Sequence, residues 1–396
     1  MLLAFLIPLH KAVVPVLIAL MVLRWLVMGE FLRMPGLFAG SRSRLFLALF
    51  ALFYVLHLVG MLSTLHLAAG WFDLEVKLTL LIFPLIFITL DAKVLDTAWL
   101  RNIMLGFVAG SVLSILLSLG RAAILWNASG DPGVFYYTRL SWFHHASYMA
   151  MYLNFASVIC IHFLAIDRER SGSFWNTAGI AIVFLFMIGV VLLSSKAGIL
   201  GMALVLFLSM AYLIIRQRMV LRGVLWFILS VSVFYVLIHL LPYPKQRLER
   251  AASTVGSADS LQSTTRESTG ERLLVWQASL ELIGDHFLAG VGTGDVIDEL
   301  VAIYQEKGIT AAARDRLNTH NQFLQTQAAL GIIGSLALVL MLFLPLLDAI
   351  RLDYYLYGMF LVLFGFNILF ESMLQTQSGV IFYAFLNVLL FSANRQ

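Results

Sequence analysis

Apolar positions in this chain come in long continuous runs, neither alternating nor confined to one helical stripe. They cover roughly Val13–Met28, Leu45–Leu65, Leu78–Leu90, Ile103–Leu119, Ser147–Ile166, Trp175–Leu193, Gly198–Ile215, Val224–Leu241, Phe323–Leu347, Tyr354–Phe370 and Val380–Leu390. A short run, Leu2–Leu9, precedes them and completes a hairpin through Lys11. A helix needs about 20 apolar residues to cross a hydrocarbon core. Only helices and closed barrels satisfy their backbone groups there, and a barrel strand would alternate. The pattern therefore predicts an all-α, polytopic helical membrane bundle of about twelve transmembrane helices.

The pattern breaks once, from Pro242 to Thr319. This divides one integrated membrane domain into N-terminal helices (1–241), a large outer loop (242–319) and C-terminal helices (320–396). Tyr243 to Gly270 is polar and rich in Ser and Thr, including Ser253, Ser257, Ser260, Ser263, Thr264, Thr265, Ser268 and Thr269, and reads as a mobile loop. From Glu271 the pattern turns helical. Leu273, Trp276, Leu280 and Ile283 form one stripe, and after a turn at Gly290–Gly294 a second follows through Val296, Ile297, Leu300, Val301 and Tyr304 up to Gly308. Two such amphipathic helices would roof the bundle at the membrane surface.

Basic residues orient the bundle. Arg33, Arg42, Arg44, Lys93, Arg101, Arg168, Arg170, Arg216, Arg218, Arg222, Arg351 and Arg395 fall in one set of alternate loops. The short loops of the other set hold Lys11, Lys77, Arg121, Arg139 and Lys196. The first set is expected to be cytoplasmic, which puts the large loop outside. No cleavable signal peptide is evident, since Met1 to Pro8 lacks a basic region and runs into further spans.

Composition agrees with a lipid-facing surface. The chain has 396 residues, of which 61% are hydrophobic and 12% charged, against about 25% charged in a soluble domain. The net charge of +4 adds little. The single cysteine, Cys160, excludes an internal disulfide and any cysteine-based metal site.

Polar chemistry gathers at the outer ends of the runs. His320 opens a span just after Arg314 and Arg316. Arg272 begins the first amphipathic helix, and Lys196 follows Ser194 and Ser195 at another helix start. Arg139, His144 and His145 precede a third, and Glu371 and Gln375 lie before the last span. Each has a plain structural alternative. His320 would be a helix-start histidine, Arg272 a partner of Glu271 or of lipid phosphate, Lys196 a snorkelling cation, His144 and His145 interfacial anchors, and Glu371 a cap or counter-ion. The Gly290–Asp295 stretch (GVGTGD) reads first as a turn between helices and second as an anion nest.

The stretch His320-Asn321, nine residues, then Gly331 to Gly334 (GIIG) resembles the signature of the O-antigen ligase family. So do Arg272 to Trp276 (RLLVW), the GVGTGD stretch, the helix start Ser194 to Gly198 (SSKAG), and the topology with one long outer loop. The resemblance implies a metal-independent GT-C type glycosyltransferase, without cofactor, in a Gram-negative inner membrane with its active site facing the periplasm. Its donor is a glycan on undecaprenyl diphosphate and its acceptor a hydroxyl, usually on the lipid A–core of lipopolysaccharide; no nucleic-acid partner is expected.

The family's essential His falls on His320 and its loop Arg on Arg272. Its other essential cation, commonly Arg, falls on Lys196, which keeps the charge but loses the bidentate fork. His320 is then the base that takes the acceptor proton. Arg272 and Lys196, helped by Arg139, neutralise the leaving diphosphate. Asn321 and Gln322 are expected to hold a sugar hydroxyl or fix the imidazole tautomer, and Gly331 and Gly334 to allow close helix packing. The apparent Asp pair in the outer loop is Asp295 and Asp298.

An O-antigen or exopolysaccharide polymerase would use the same donor and fold, and a protein O-oligosaccharyltransferase is a third enzyme reading. A lipid-linked glycan transporter would instead show ionisable groups at mid-membrane and repeated halves. His57 and Asn154 are the candidates within spans, with Arg24 near a span's inner end, but none has an evident charged partner and no repeat is visible.

Overall fold

The computed structural model describes residues 1–33, 41–90, 97–166, 173–256 and 268–393, and the regular elements among them are helical. Helices α1 (Leu2–Leu6) and α2 (Val14–Val27) lead to α3 (Ser41–Gly60), α4 (Leu67–Lys77), α5 (Thr79–Thr89) and α6 (Thr97–Ser129). After α7 (Tyr137–Leu140) come α8 (Ala146–Ile161), α9 (Ser173–Leu193), α10 (Lys196–Ile215) and α11 (Val220–Leu240). Helices α12 (Pro242–Gly256), α13 (Ser268–Asp285), α14 (Val296–Glu306) and α15 (Thr310–Arg314) separate these from α16 (Gln322–Arg351), α17 (Tyr355–Asn367) and α18 (Gln377–Ala393).

Among the described residues, six segments are long and apolar enough to cross a membrane: Ser43–Gly60, Thr97–Ser129, Ala146–Ile166, Lys196–Ile215, Gly223–Leu240 and Gln322–Arg351. Four shorter apolar helices accompany them. The runs Leu2–Leu9 and Leu78–Leu90 fold as helices of 5 and 11 residues; at about 1.5 Å per residue, neither reaches across a hydrocarbon core by itself. The chain is a multi-pass membrane protein. Of the charges and hydroxyls read from sequence, Lys93, Arg168, Arg170, Arg395, Ser257, Ser260, Ser263, Thr264, Thr265 and the side chains of Arg42 and Arg222 lie outside the described residues.

The innermost helices are α8 and α18. Ala146 to Cys160 and Gly379 to Ser392 are buried without interruption. Helix α8 packs against α6, α9, α10 and α17, and α18 against α5 and α17. Lipid is as apolar as these side chains, so close packing and hydrogen bonds, not hydrophobicity, hold them inside. Asn154 supplies one such bond: its Nδ2 donates to the Gly198 carbonyl of α10 at 2.9 Å. Exposed Leu225, Ile228, Leu229, Val236 and Leu240 give α11 the opposite, lipid-facing character.

The large loop departs from its sequence reading. Its first part, expected to be mobile, is helical over Pro242–Gly256. Pro is tolerated in a helix's first turn, and Leu248 packs on the core cluster while most of the polar residues face outward. The polar composition marked a solvated face rather than absence of structure. In α13 the buried face is Leu274, Val275, Ala278, Leu282 and Ile283, so Leu280, expected on the stripe, points outward at 57% exposure. Helix α14 buries Val296, Leu300 and Tyr304 as expected and stops before Gly308 at φ +68°. Together α13, α14 and α15 form a second core with Ala328, Ala329 and Leu330 of α16.

Gly331 interrupts α16 with φ 65° and ψ −162°. Backbone bonds stitch the break to the loop: Val291 N donates to Ala328 O at 2.8 Å, Gly292 N to Ala329 O at 3.0 Å, and Ile332 N to Phe287 O at 3.1 Å. A side chain at Gly331 would collide with the Leu288 carbonyl. The GVGTGD stretch is thus a structural turn. Its Asp295 accepts from the amides of Leu65 and His66 at 2.7 and 2.8 Å, pinning the start of α4.

Two further sequence readings change. Lys77, assigned to a short outer loop, is fully buried at the end of α4, ion-paired with Asp73. His57, which had no evident charged partner, has its Nε2 4.0 Å from Asp73. Gln375, in the amide orientation that satisfies both groups, donates to Asp73 at 2.7 Å and accepts from Lys77 at 3.1 Å. This cluster ties α3 and α4 to the segment before α18.

Candidate active site

Five segments converge at one end of the bundle, and three of them are fixed by capped helix starts. Ser195 caps α10, its Oγ accepting from Gly198 N at 3.2 Å. His145 caps α8 through Ser147 N at 3.4 Å. Asn321 caps α16, its Oδ1 accepting from Phe323 N at 2.9 Å and Leu324 N at 3.2 Å. The residue beside each of two of these caps is forced into the left-handed region: Ser194 at φ 48° and His320 at φ 47°. An L-residue pays roughly 1–2 kcal/mol to sit there, and such strain clusters at functional sites.

Glu371 organises the site. Its Oε1 accepts from Arg272 Nη2 at 2.5 Å and from Ser147 Oγ at 3.0 Å. Its Oε2 lies 3.2 Å from Nδ1 of His320. An ionised carboxylate only accepts, so Nδ1 carries a proton and the basic lone pair of a neutral His320 sits on Nε2. Burial pushes the Glu371 carboxyl up, but the His320 hydrogen bond and the charges of Arg272, His320 and His145 outweigh it and hold it at about 2. His145 is lowered, mainly by burial; Glu371 opposes this, and the cations of Arg272, His320 and Arg247 add to it.

Lys196 meets the start of α13, donating to Ser268 Oγ at 2.9 Å and to Thr269 Oγ1. Arg272 follows one turn later on that helix, so the two cations share one support. Ser195 reaches Ser147 at 3.4 Å, which joins the α10 start to Glu371. The Trp276 indole donates to Thr319 O at 2.9 Å and fixes the approach to His320 from the other side.

His320, Arg272 and Lys196 are therefore gathered, while three other expected residues serve differently. Asn321 is spent on its cap, and Glu371 rather than Asn321 fixes the imidazole. Gln322 is fully buried; its Oε1 accepts from Leu374 N at 2.7 Å and its Nε2 donates to Thr326 at 3.2 Å, so it staples α16 to the Glu371 segment instead of facing a sugar. Arg139 pairs with Asp131 at 2.5 Å on an exposed turn, away from the Glu371 group. The sequence by itself leaves the role of Glu371 between helix cap and counter-ion. Its signal was there: it is the sole charged residue between Asp353 and Arg395, and an acid so isolated in apolar sequence needs a partner.

The membrane bundle thus gathers a histidine–carboxylate pair and two cations at one end. Residues 180–339 match the family model described as O-antigen ligase. The match covers 160 of the chain's 396 residues, so this part of the chain is similar to the O-antigen ligase family. The matched stretch includes Lys196, Arg272 and His320, while Arg139 and Glu371 lie outside it. No curated protein matches the chain. The match supports a function of the O-antigen ligase or polymerase type.

Proposed function

We propose that the protein transfers a glycan from undecaprenyl diphosphate to an acceptor hydroxyl, that of the lipid A–core of lipopolysaccharide, at the periplasmic face of a Gram-negative inner membrane. The observation that carries this reading is the single carboxylate shared by His320 and Arg272. It joins a base to a cation, the two things the reaction asks for.

The acceptor hydroxyl loses its proton to Nε2 of His320 as its oxygen attacks the anomeric carbon. The imidazolium that forms is stabilised through Nδ1 by Glu371, the part a buried carboxylate plays behind a catalytic histidine. As the glycosidic bond breaks, its electron pair goes to the diphosphate oxygen. Arg272 and Lys196 stabilise that growing charge. Glu371 engages one Arg272 nitrogen, and a guanidinium has five N–H donors. With two cations in this role, transfer should proceed without a divalent metal; activity retained in chelator supports this, and activity rescued only by magnesium or manganese overturns it.

The test is transfer from undecaprenyl-diphosphate glycan to lipid A–core by purified protein, wild type beside His320→Ala. Capped lipopolysaccharide from wild type and none from the folded variant supports the ligase reading. Lengthened donor glycan would make the protein a polymerase, and an unimpaired variant would remove His320 from the mechanism.

A further inference from the structure

Arg272 and Lys196 are both engaged by protein groups. A third cation stands nearby on α12, the helix that replaces the expected mobile loop. The guanidinium carbon of Arg247 lies 3.8 Å from the ring centroid of Tyr137 and 6.0 Å from that of Tyr243. Tyr243 stacks on Tyr136 at 5.1 Å. Tyr137 meets His145 edge-on at 5.9 Å, and Ser147, two residues on, donates to Glu371. Arg247 is thus connected to Glu371 through Tyr137, His145 and Ser147.

Three features mark this as more than surface packing. Tyr137 is held at φ 53°, a conformation an L-residue adopts only when its surroundings compel it. A guanidinium lying on a ring uses its face for the cation–π contact and keeps its N–H groups directed outward in the plane. The Nε of Arg247 is buried and has no hydrogen-bond partner among the described residues, and a buried donor without an acceptor is costly. A planar fork of donors with one unmet fits the oxygens of a phosphate.

We propose that Arg247, shelved on Tyr137 and Tyr243, binds the lipid-side phosphate of the polyprenyl diphosphate donor, while Arg272 and Lys196 hold the sugar-side phosphate. The assignment rests on the donor reading above. It follows from position: Arg247 stands farther from His320 than Arg272 does along the contact path, on the helix that continues directly from lipid-facing α11.

The test is binding to full-length purified protein of undecaprenyl diphosphate, undecaprenyl monophosphate and phosphatidylglycerol, with thermal melting in parallel. Arg247→Gln should weaken both polyprenyl phosphates about tenfold, as expected for loss of one charge-assisted contact, and leave phosphatidylglycerol unchanged. Arg247→Lys should fall between. Equal loss of all three ligands would make this a general headgroup site, and unchanged binding of the polyprenyl phosphates would remove Arg247 from the donor site; either overturns the proposal. Wild type that binds neither polyprenyl phosphate would refute the donor reading and this proposal with it, whereas wild type that binds while Arg247→Gln binds equally refutes only the proposal. If Arg247→Gln does not fold, Tyr137→Phe against Tyr137→Leu decides: the ring-retaining variant should bind as wild type and the other should not, and equal binding by both overturns the shelf.

Discussion

Nδ1 of His320 lies 3.2 Å from Oε2 of Glu371, although 51 positions separate them in sequence. The same carboxylate holds Arg272 and the Ser147 hydroxyl. One side chain therefore sets the tautomer of the proposed base and the place of the proposed diphosphate cation. Glu371→Gln keeps the shape and loses the charge. Transfer by the folded variant should fall about 10²-fold or more, in line with loss of an effective acid–base partner, and the melting temperature at neutral pH should fall as well, because the ionised carboxylate stabilises the fold there. Activity near wild type in a steady-state transfer assay would show that Glu371 is a structural counter-ion.

His320→Asn separates chemistry from fold better than alanine does. Asn tolerates the left-handed region better than most residues, and His320 occupies it at φ 47°. The variant should melt as wild type and lose activity by roughly 10²–10⁴-fold, the usual worth of a general base.

Acid should destabilise the protein in two stages. Burial lowers His144 to about 4 from 6.5. The unfolded chain then binds the proton more readily, so stability is full above pH 6.5 and is lost as pH falls towards 4. Glu371 is held at about 2 against 4.5; its contribution is full above pH 4.5 and is lost between 4.5 and 2. Melting temperature against pH should be level above 7, decline from 6.5, and steepen below 4.5. His144→Gln should flatten the first decline, and Glu371→Gln the second.

Gly331→Ala should destabilise by at least about 2 kcal/mol, from left-handed strain and overpacking together. Its added methyl would meet the Leu288 carbonyl. Gly120→Ala, where a methyl meets nothing within 4 Å, is the control and should melt as wild type.

Lys77→Met strands Asp73 in a buried site and should cost about 3–5 kcal/mol, whereas Lys77→Met with Asp73→Asn should recover much of it. Because Gln375 reaches this pair four residues after Glu371, the single variant should also depress transfer. Thermal melting and a transfer assay on both variants check the two parts.

The helical bundle was legible because a continuous apolar run has one use in lipid, although the runs Leu2–Leu9 and Leu78–Leu90 fold as helices too short to span; His320, Arg272 and Lys196 stood out as candidates because cations and imidazoles at helix starts contrast with it. What escaped was pairing across the chain. Nothing local to Glu371 says that its partners are Arg272 and His320, and nothing local to His57 points to Asp73. Asn321 and Gln322 look identical in sequence whether they meet a sugar or a backbone amide; the first turn of α16 decided it. Helix α12 was missed because its polar residues outnumber the few, Leu248 and Arg247 among them, that pack inward.

The backbone stitching between Phe287–Gly292 and Ala328–Ile332 bears on how such proteins are recombined. Exchanging the large loop between relatives at its apparent borders would cut a ladder whose two rails lie on opposite sides of the junction. Orphaned amides and carbonyls would then sit beside the break in α16, next to the helix that carries His320 at its start. A working chimera has to carry both rails from one parent, so the unit that is exchanged intact runs through Gly331 and does not end at Thr319.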